Sequence, residues 1–307
     1  MAQSRLVAAA LSQACPGLRV EFVPILTRGD RATGPLTEAG GKALFTEELE
    51  AGLLEGKIDV AVHSAKDLPI ALAEGTEIAA VPARADARDA LLSSDGLGPG
   101  QLPISAMVGT GSLRRAALLL SVRPDLRIVP LRGNVDTRIR RVIRSRNGEE
   151  RLDAAVIAMA GVIRLGLMPS LEERLVPLDA AAFIPAAGQG AVAVQSLSDC
   201  GGLSELLRLL DDPPSHQALL AEREVVRAMG ADCHSCLAVH VGCYSGAWRG
   251  WAMASRVGSV GCDAPGSQDV VRVEGSAPGR EMTDGPSRIA EQLVSALDAG
   301  GARDFLG

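Results

Sequence analysis

Apolar residues along the chain fall into short runs whose spacing alternates between that of helices and that of strands. The first part of the chain predicts a helix over residues 3–14, a strand over 18–26 and a second helix over 44–54. The run from Ile58 to Val62 is short and rich in β-branched residues, which is typical of a buried strand in a parallel sheet. This alternation of helices and strands favours an α/β fold.

The same order of elements returns further along the chain. Residues 106–110 predict a strand, a helix follows from Leu113, and residues 126–131 predict another strand. The sequence itself also repeats weakly, because Gly56-Lys-Ile-Asp-Val-Ala-Val matches Glu150-Arg-Leu-Asp-Ala-Ala-Val. The repeat predicts two similar lobes with a ligand cleft between them.

The two predicted lobes differ at their first element. The second lobe has a strand before its first helix, whereas the first lobe begins directly on the helix over residues 3–14. A crossover helix of a parallel sheet normally joins two strands. We therefore expect a further strand upstream of residue 3, and we expect that Met1 is not the natural start.

The pattern changes again near residue 205. A helix over 215–229, strands near 238–244, 250–256 and 270–274, and a closing helix over 287–297 predict a small α+β domain. A Pro/Ala/Arg-rich stretch leads into the second lobe, and a Gly-rich turn that begins at Phe183 returns the chain to the first. The predicted boundaries are 1–82 with 183–204 for lobe 1, 83–182 for lobe 2 and 205–307 for the C-terminal domain.

Composition and charge exclude several classes of protein. No apolar run approaches the length of a membrane span and the N-terminus lacks a signal-peptide layout, so we expect a cytoplasmic protein whose six cysteines are thiols. The net charge of −6 argues against a nucleic-acid partner. Between Ser112 and Leu165, however, there are twelve arginines, five acids and no lysine. This segment predicts contact with an anion.

Polar side chains crowd the end of the strand that the Ile58 run predicts. Ser64, Lys66 and Asp67 follow it closely, and ligands of open α/β sheets bind just outside the carboxyl ends of strands. A solvated turn would give the same pattern. Lysine is scarce, however, with three among thirty-one Lys plus Arg residues, which favours a specific role for the Lys66 ammonium.

Five motifs in order along the chain carry a family resemblance. They are Gly40-Gly-Lys-Ala-Leu-Phe-Thr, Ala61-Val-His-Ser-Ala-Lys-Asp-Leu-Pro, Gly109-Thr-Gly-Ser-Leu-Arg-Arg, Leu131-Arg-Gly-Asn-Val-Asp-Thr-Arg and Pro185-Ala-Ala-Gly-Gln-Gly-Ala. Together they resemble the porphobilinogen deaminase family, also called hydroxymethylbilane synthase. Each motif alone is weakly specific, but five in the same order over nearly the whole chain are highly specific.

The resemblance implies a transferase of tetrapyrrole and haem biosynthesis. Such an enzyme joins four porphobilinogen units head to tail, with loss of ammonia each time, to give hydroxymethylbilane. The resemblance also implies a dipyrromethane cofactor bound by a thioether to one cysteine of the third domain. Its two lobes would be similar to those of periplasmic binding proteins, and we expect a monomer that acts on a small molecule.

The resemblance assigns roles to individual residues. Each porphobilinogen ring carries an acetate and a propionate, and guanidinium groups bind carboxylates through paired hydrogen bonds. The residues implied to bind the cofactor are Lys42, Ser64, Lys66, Thr110, Ser112, Arg114, Arg115, Arg132 and Arg138. Arg164 is implied to bind the substrate together with Arg132 and Arg138, whereas the arginines from 140 to 146 are more simply explained as a solvated helix face. Asp67 matches the catalytic aspartate, whose charge would stabilise the cationic azafulvene and the pyrrole nitrogens.

The cysteine cluster has two interpretations. Cys233, Cys236, His240 and Cys243 have spacings that could suit a structural zinc. The resemblance instead makes Cys233 the cofactor attachment site, because it follows the helix that opens the third domain. We therefore predict no metal, and we expect Cys243 and Cys262 to be small core residues.

The chain departs from the family pattern at four places. It has no counterpart of the Arg-x-Ser of the opening strand, and Glu47, Asp232 and Cys236 stand where the family has lysine, glycine and proline. Two alternatives follow. One is an inactive, N-terminally truncated homologue, and the other is a two-lobe solute-binding protein, which would need neither Asp67 nor a modifiable cysteine.

Overall fold

Helices and strands alternate along the chain in the computed structural model, which describes residues 1–28, 46–143, 151–231, 235–256, 270–278 and 284–306. The helices are α1 (Ala2–Ala14), α2 (Glu47–Leu54), α3 (Leu113–Val122), α4 (Val135–Ile143), α5 (Met159–Arg164), α6 (Met168–Leu171), α7 (Leu203–Arg208), α8 (Pro213–Ala228), α9 (Gly285–Ala299) and α10 (Arg303–Leu306). The strands are β1 (Ala61–Ser64), β2 (Thr76–Ala80), β3 (Asp89–Ser93), β4 (Met107–Gly109), β5 (Arg127–Val129), β6 (Ala154–Ala158), β7 (Leu175–Pro177), β8 (Val192–Leu197), β9 (Cys236–Tyr244), β10 (Ala247–Ser255) and β11 (Val270–Ala277).

The strands form three sheets. Sheet A has the order β1-β8-β2, sheet B the order β5-β4-β6-β3-β7, and sheet C the order β11-β10-β9. Sheets A and C are antiparallel, whereas in sheet B β4 runs parallel to β5 and β6. We call each sheet with its packed helices a unit: the first unit contains sheet A, the second sheet B and the third sheet C. The fold is mixed α/β with several sheets.

Sheets A and B share a set of three antiparallel strands. β1 pairs with β8 and β8 with β2, just as β6 pairs with β3 and β3 with β7. The weak sequence repeat places β1 against β6, so the repeat is also a structural one. Sheet B continues past β6 through β4 and β5, whereas within the described ranges β1 has no strand on its second edge.

The strand predicted over residues 18–26 is wrong. These residues have no strand pairing in the structure, and Val20, Phe22, Val23 and Leu26 are 37% to 59% exposed. Pro16-Gly-Leu-Arg-Val also resembles Pro124-Asp-Leu-Arg-Ile, so the repeat places this segment opposite β5, which is a strand because β4 pairs with it. Among the described residues no strand lies beside β1 in the place of β4, and the segment therefore has no described strand to pair with.

The parallel pairing predicted for the Ile58 run is also wrong. The strand begins at Ala61 and runs antiparallel to β8. Apolar side chains nevertheless cover the sheet on both sides, because Val7 and Leu11 of α1 join one hydrophobic cluster of sheet A and Leu219 of α8 joins the other. The residue pattern of the run indicates burial on both faces of the sheet. Such burial is compatible with either strand direction.

The third unit confirms the helices and strands predicted from residue 215 onward. Helices α8 and α9 pack on sheet C around Trp248 and Leu293. The core of sheet B extends into this unit through Cys236, Ala238 and Met253, so the third unit docks on the second. In the described segments no helix combines the length and the apolar character that crossing a membrane requires.

Two segments, 81–88 and 183–191, connect the first and second units, and they are hydrogen-bonded to each other. The amide of Ala85 donates to the carbonyl oxygen of Gly190 at 3.1 Å. Nε of Arg84 donates to the carbonyl oxygen of Gln189 at 2.9 Å, and Nε2 of Gln189 donates to that of Ala87 at 2.8 Å. These crossed connections lie beside the cleft between the two units.

Candidate active site

A single turn of 3-10 helix, Ala65–Asp67, follows β1 directly. Because it carries Asp67, the predicted catalytic residue, we call it the catalytic turn. Ala65 and Leu68 are buried and anchor the turn, Lys66 is half-buried, and Asp67 is exposed. Pro69 follows, and proline cannot continue a helix because it has no amide hydrogen. The sequence thus places a charged pair on a turn that is short and held at both ends.

Gly188 packs directly against the catalytic turn. Its φ is +74°, and a Cβ at this position would lie 2.8 Å from the backbone nitrogen of Lys66. Both the left-handed backbone and the close approach require glycine. The Gly-rich motif that begins at Pro185 therefore shapes the wall of the site.

A cavity of about 330 Å³ lies between the first and second units. The charged and hydroxyl side chains that line it are Ser64, Lys66, Arg115, Arg138 and Arg164. Gln3, at the start of α1, also lines it and donates from Nε2 to Oγ of Ser64 at 2.5 Å. Among the described lining residues there are four cations and no carboxylate, so the cavity favours an anionic ligand.

Arg114 and Arg115 share one buried carboxylate. Asp89, fully buried at the start of β3, accepts from Nη2 of Arg114 at 2.7 Å and from Nη2 of Arg115 at 2.7 Å. Nε2 of Gln189 donates to the same carboxylate at 2.9 Å. Burial alone would raise the pKa of Asp89, but the two guanidinium charges lower it well below its usual range. The cluster keeps a net positive charge beside the cleft.

Thr110 and Ser112 shape the start of α3. Oγ1 of the buried Thr110 accepts from the amide of Ser112 at 3.1 Å. Ser112 caps α3, with its Oγ accepting from the amide of Arg115 at 3.4 Å. These hydroxyls hold the helix end that carries the arginines.

Arg138 and Arg164 face the cavity without a carboxylate partner among the described residues. Nε of Arg138 donates to the carbonyl oxygen of Gly133 at 3.1 Å, and Nη2 of Arg164 donates to that of Gly190 at 2.6 Å. Burial lowers the pKa of both guanidinium groups, and the charge of Arg115 adds to this effect at Arg138. Each guanidinium retains donors for a carboxylate.

Lys66 adds a cation whose charge depends on pH. Burial lowers the pKa of its ammonium to about 8, and the neighbouring Asp67 opposes this shift. The charges of Arg115 and Arg114 act in the same direction as burial. Lys66 is therefore charged at pH 7 and neutral well above pH 8.

The remaining predicted residues lie around the cavity or outside the described ranges. Asp67, Thr110, Ser112, Arg114 and Arg132 do not line the cavity. Lys42, Asp232, Cys233 and Cys262 lie outside the residues that the structure describes. His63, beside Ser64 in the motif, is buried, and burial lowers the pKa of its imidazole. A larger groove of about 740 Å³ between α8 and α9 contains none of the predicted residues.

Cys236 differs from a reactive thiol. It is the first residue of β9, pairs with Ser255 and is 1% exposed. Burial raises the pKa of its thiol to about 11, against the opposing charge of Arg114. Cys243 is half-buried in β9. The imidazole of His240 is hydrogen-bonded to the carboxylate of Glu222 and to the hydroxyl of Tyr244. Among the described residues no group of His, Cys, Asp and Glu could hold a metal ion.

Sequence reasoning missed the carboxylates that organise the site. Asp89 directly precedes the apolar residues of a strand, and an acid at such a position is expected to be buried. Because a buried acid requires a cationic partner, this pattern could have indicated the Asp89 cluster. Glu222 of α8 is fully buried and accepts from both Nη atoms of Arg84 at 2.7 and 3.0 Å and from the amide of Gly188 at 2.6 Å. Burial alone would raise the pKa of Glu222, but Arg84 and His240 lower it.

Comparison with known proteins agrees with these features. The family model described as porphobilinogen deaminase, dipyromethane cofactor binding domain, matches residues 1–203. A porphobilinogen deaminase of Syntrophobacter fumaroxidans is 38% identical over 299 residues, which cover 96% of this chain and 94% of that protein. One of Xylella fastidiosa is 43% identical over 303 residues, covering 98% and 93%, and one of Cutibacterium acnes is 46% identical over 239 residues, covering 75% and 70%. The chain therefore belongs to the porphobilinogen deaminase family.

Proposed function

We propose that the chain is a hydroxymethylbilane synthase that condenses four porphobilinogen molecules and releases ammonia at each step. The observation that carries this proposal is the cavity lined by four cations and no carboxylate among the described residues. Each substrate ring brings two carboxylates, so a growing chain requires several cations in one cleft. The relatives named porphobilinogen deaminase support the same reaction.

The residues of the cleft fit the dipyrromethane group that the family implies. Its rings carry the same acetate and propionate side chains as the substrate. It supplies the pyrrole carbon to which the first porphobilinogen molecule is joined. We infer that Ser64, Lys66, Arg115 and Arg138 would hold it directly. The other members of the predicted set are Lys42, Thr110, Ser112, Arg114 and Arg132, and Arg164 would bind the incoming substrate.

Asp67 supplies the negative charge that the chemistry needs. Loss of ammonia from porphobilinogen leaves a cationic azafulvene, and coupling places positive charge on pyrrole nitrogens. A fixed carboxylate stabilises such a cation and can take part in proton transfer. The position of Asp67 on the catalytic turn, next to Lys66, supports this role.

Cys233 is the proposed attachment point. Cys236, the nearest described thiol in sequence, has its pKa raised to about 11 by burial, and a thiolate is the nucleophile in thioether formation. Peptide mapping should find the adduct on Cys233, and Cys233→Ser should abolish it while Cys236→Ser retains it. An adduct on Cys236 would overturn this assignment.

The domain layout follows from the same proposal. The first and second units would be the lobes 1–82 with 183–204 and 83–182, similar to those of periplasmic binding proteins, and 205–307 would form the cofactor-attachment domain. The shared three-strand set of sheets A and B supports two related lobes. The monomeric state, the cytoplasmic location and the lack of a nucleic-acid partner remain predictions.

Turnover of porphobilinogen tests the function. The purified protein should release one ammonia per porphobilinogen consumed and accumulate hydroxymethylbilane, identified by its conversion to uroporphyrin after cyclisation and oxidation. Consumption without a linear tetrapyrrole would contradict the proposal, and binding without consumption would contradict it and favour a solute-binding protein.

A further inference from the structure

Arg223 of α8 reaches from the third unit into the first. Its Nη2 donates to the carbonyl oxygens of Pro69 and Ile70 at 2.8 and 2.9 Å. These carbonyls follow the catalytic turn after a single intervening residue, Leu68. A guanidinium from another unit therefore holds the backbone on which Lys66 and Asp67 are carried.

Arg223 is largely buried and lines the groove between α8 and α9. Its side chain is 6% exposed, and among the described residues its guanidinium has hydrogen bonds to carbonyl oxygens and no ion pair with a carboxylate. Burial lowers its pKa to about 10, and the charge of Arg227 acts in the same direction. A buried cation without a counter-ion stabilises a fold less than an apolar side chain of the same size. Its paired hydrogen bonds to the carbonyl oxygens of Pro69 and Ile70 therefore point to a role in holding this backbone.

The neighbouring Glu222 supports the catalytic turn from a second direction. It accepts from the amide of Gly188, and Gly188 packs on Ala65 and Lys66. Two consecutive residues of α8 thus fix the turn. Arg223 holds the carbonyl groups that follow it, and Glu222 holds Gly188, which packs against it. Helix α8 ends at Ala228, five residues before Cys233 in the sequence, so the same helix precedes the proposed attachment residue.

We propose that Arg223 is a positioning residue that sets the orientation of Lys66 and Asp67 relative to the cleft. Its effect on the reaction rests on the proposed function, but its effect on the backbone of residues 64–72 does not. The cations from the second unit do not depend on this contact. Loss of the guanidinium should therefore reduce kcat for porphobilinogen much more than it raises KM.

The test compares Arg223→Met and Arg223→Lys with the matched control Arg227→Met. Arg227 lies one turn further along α8, is exposed, and pairs with Glu224 at the surface. Hydrogen–deuterium exchange of the full-length holo-protein, read by mass spectrometry, should quicken in peptides 64–72 of Arg223→Met and stay unchanged in peptides of sheet B. Its kcat should fall about tenfold to a hundredfold with KM within about twofold.

Arg223→Lys should recover part of kcat and of the exchange protection, because an ammonium can still donate to a carbonyl. Arg227→Met should behave as the wild type in both measurements. Unchanged exchange at 64–72 in Arg223→Met, or a uniform increase over all three sheets, would overturn the proposal. If the wild-type protein does not consume porphobilinogen, the proposed function fails, and the exchange experiment still decides the role of Arg223.

Discussion

The first and second units share a three-strand antiparallel set but hold their charged groups in different ways. In the second unit, Arg114 and Arg115 are fixed by Asp89, which belongs to the same sheet. In the first unit, the catalytic turn is fixed by groups from outside sheet A, namely Gly188 and Arg223. The predicted anion-binding arginines are thus held within the core of their own unit, whereas the turn that carries the predicted catalytic aspartate is held by a connecting segment and by the third unit.

Removal of the shared carboxylate of the second unit should have the largest effect on stability. Asp89→Asn leaves two buried guanidinium groups without a counter-ion, which should lower the free energy of unfolding by about 3–5 kcal/mol. Because the folded-state pKa of Asp89 lies below its usual range, its contribution is present above the ordinary carboxyl pKa and is lost as the pH falls. In Asp89→Asn, the free energy of unfolding should therefore decrease less than in the wild type as the pH falls.

Urea unfolding at neutral and acidic pH measures this effect. Asp86→Asn is the matched control, since Asp86 lies on the same segment in a partly exposed pair with Arg88 and should cost less than about 1 kcal/mol. Equal costs for the two variants would show that the Asp89 cluster does not hold the second unit together.

The corresponding change in the first unit should affect rate rather than stability. Asp67→Asn keeps the shape of an exposed side chain but removes its charge, so turnover of porphobilinogen should fall on the order of a hundredfold or more with folding intact. Asp59→Asn, an exposed acid just before β1, should leave turnover unchanged. Near-normal turnover in the Asp67 variant would remove this residue from the catalytic role.

The two units should also differ in how a buried strand of the second unit and the unpaired segment of the first tolerate truncation of a side chain. Val108→Ala in β4 removes fully buried methyl groups and should cost on the order of 2 kcal/mol. Val23→Ala, in the unpaired segment that the repeat places opposite β5, should change stability by less than about 0.5 kcal/mol because Val23 is 47% exposed. Urea unfolding distinguishes the two, and similar costs would mean that Val23 is packed in solution.

The smallest effect concerns the pH dependence of turnover. The Lys66 ammonium is lost as the pH rises through about 8, so the cofactor carboxylates lose one cationic partner and kcat for porphobilinogen should fall by up to about tenfold between pH 7 and 9. Lys66→Arg stays charged and should show a flatter profile, whereas an identical fall in both proteins would exclude Lys66 as the titrating group. The same group affects stability in the opposite direction. Between about pH 8 and 10.5 the Lys66 side chain binds more protons in the unfolded chain than in the folded one, so its contribution to the free energy of unfolding rises with pH.

Local sequence predicted the elements and part of the site. The periodicity of residues 3–14 and 215–229 located α1 and α8, and the family resemblance selected Ser64, Lys66, Arg115, Arg138 and Arg164, all of which line one cavity. These features depend on side chains close in sequence or on motifs that occur together. Local patterns are sufficient for them.

Long-range contacts account for what could not be predicted. Whether residues 18–26 form a strand depends on a neighbouring strand, and the direction of β1 depends on β8, which lies far along the chain. Arg223 contacts Pro69 across 154 residues, and the Asp89 cluster joins three separate segments. No pattern within one segment records such partners.

The intact mass of the purified protein after incubation with porphobilinogen tests the central claim most directly. We expect the wild-type protein to be heavier than its polypeptide by at least one dipyrromethane unit, and Cys233→Ser, treated in parallel, to have the mass of the polypeptide alone. A wild-type protein that stays at the mass of the bare polypeptide would contradict the account.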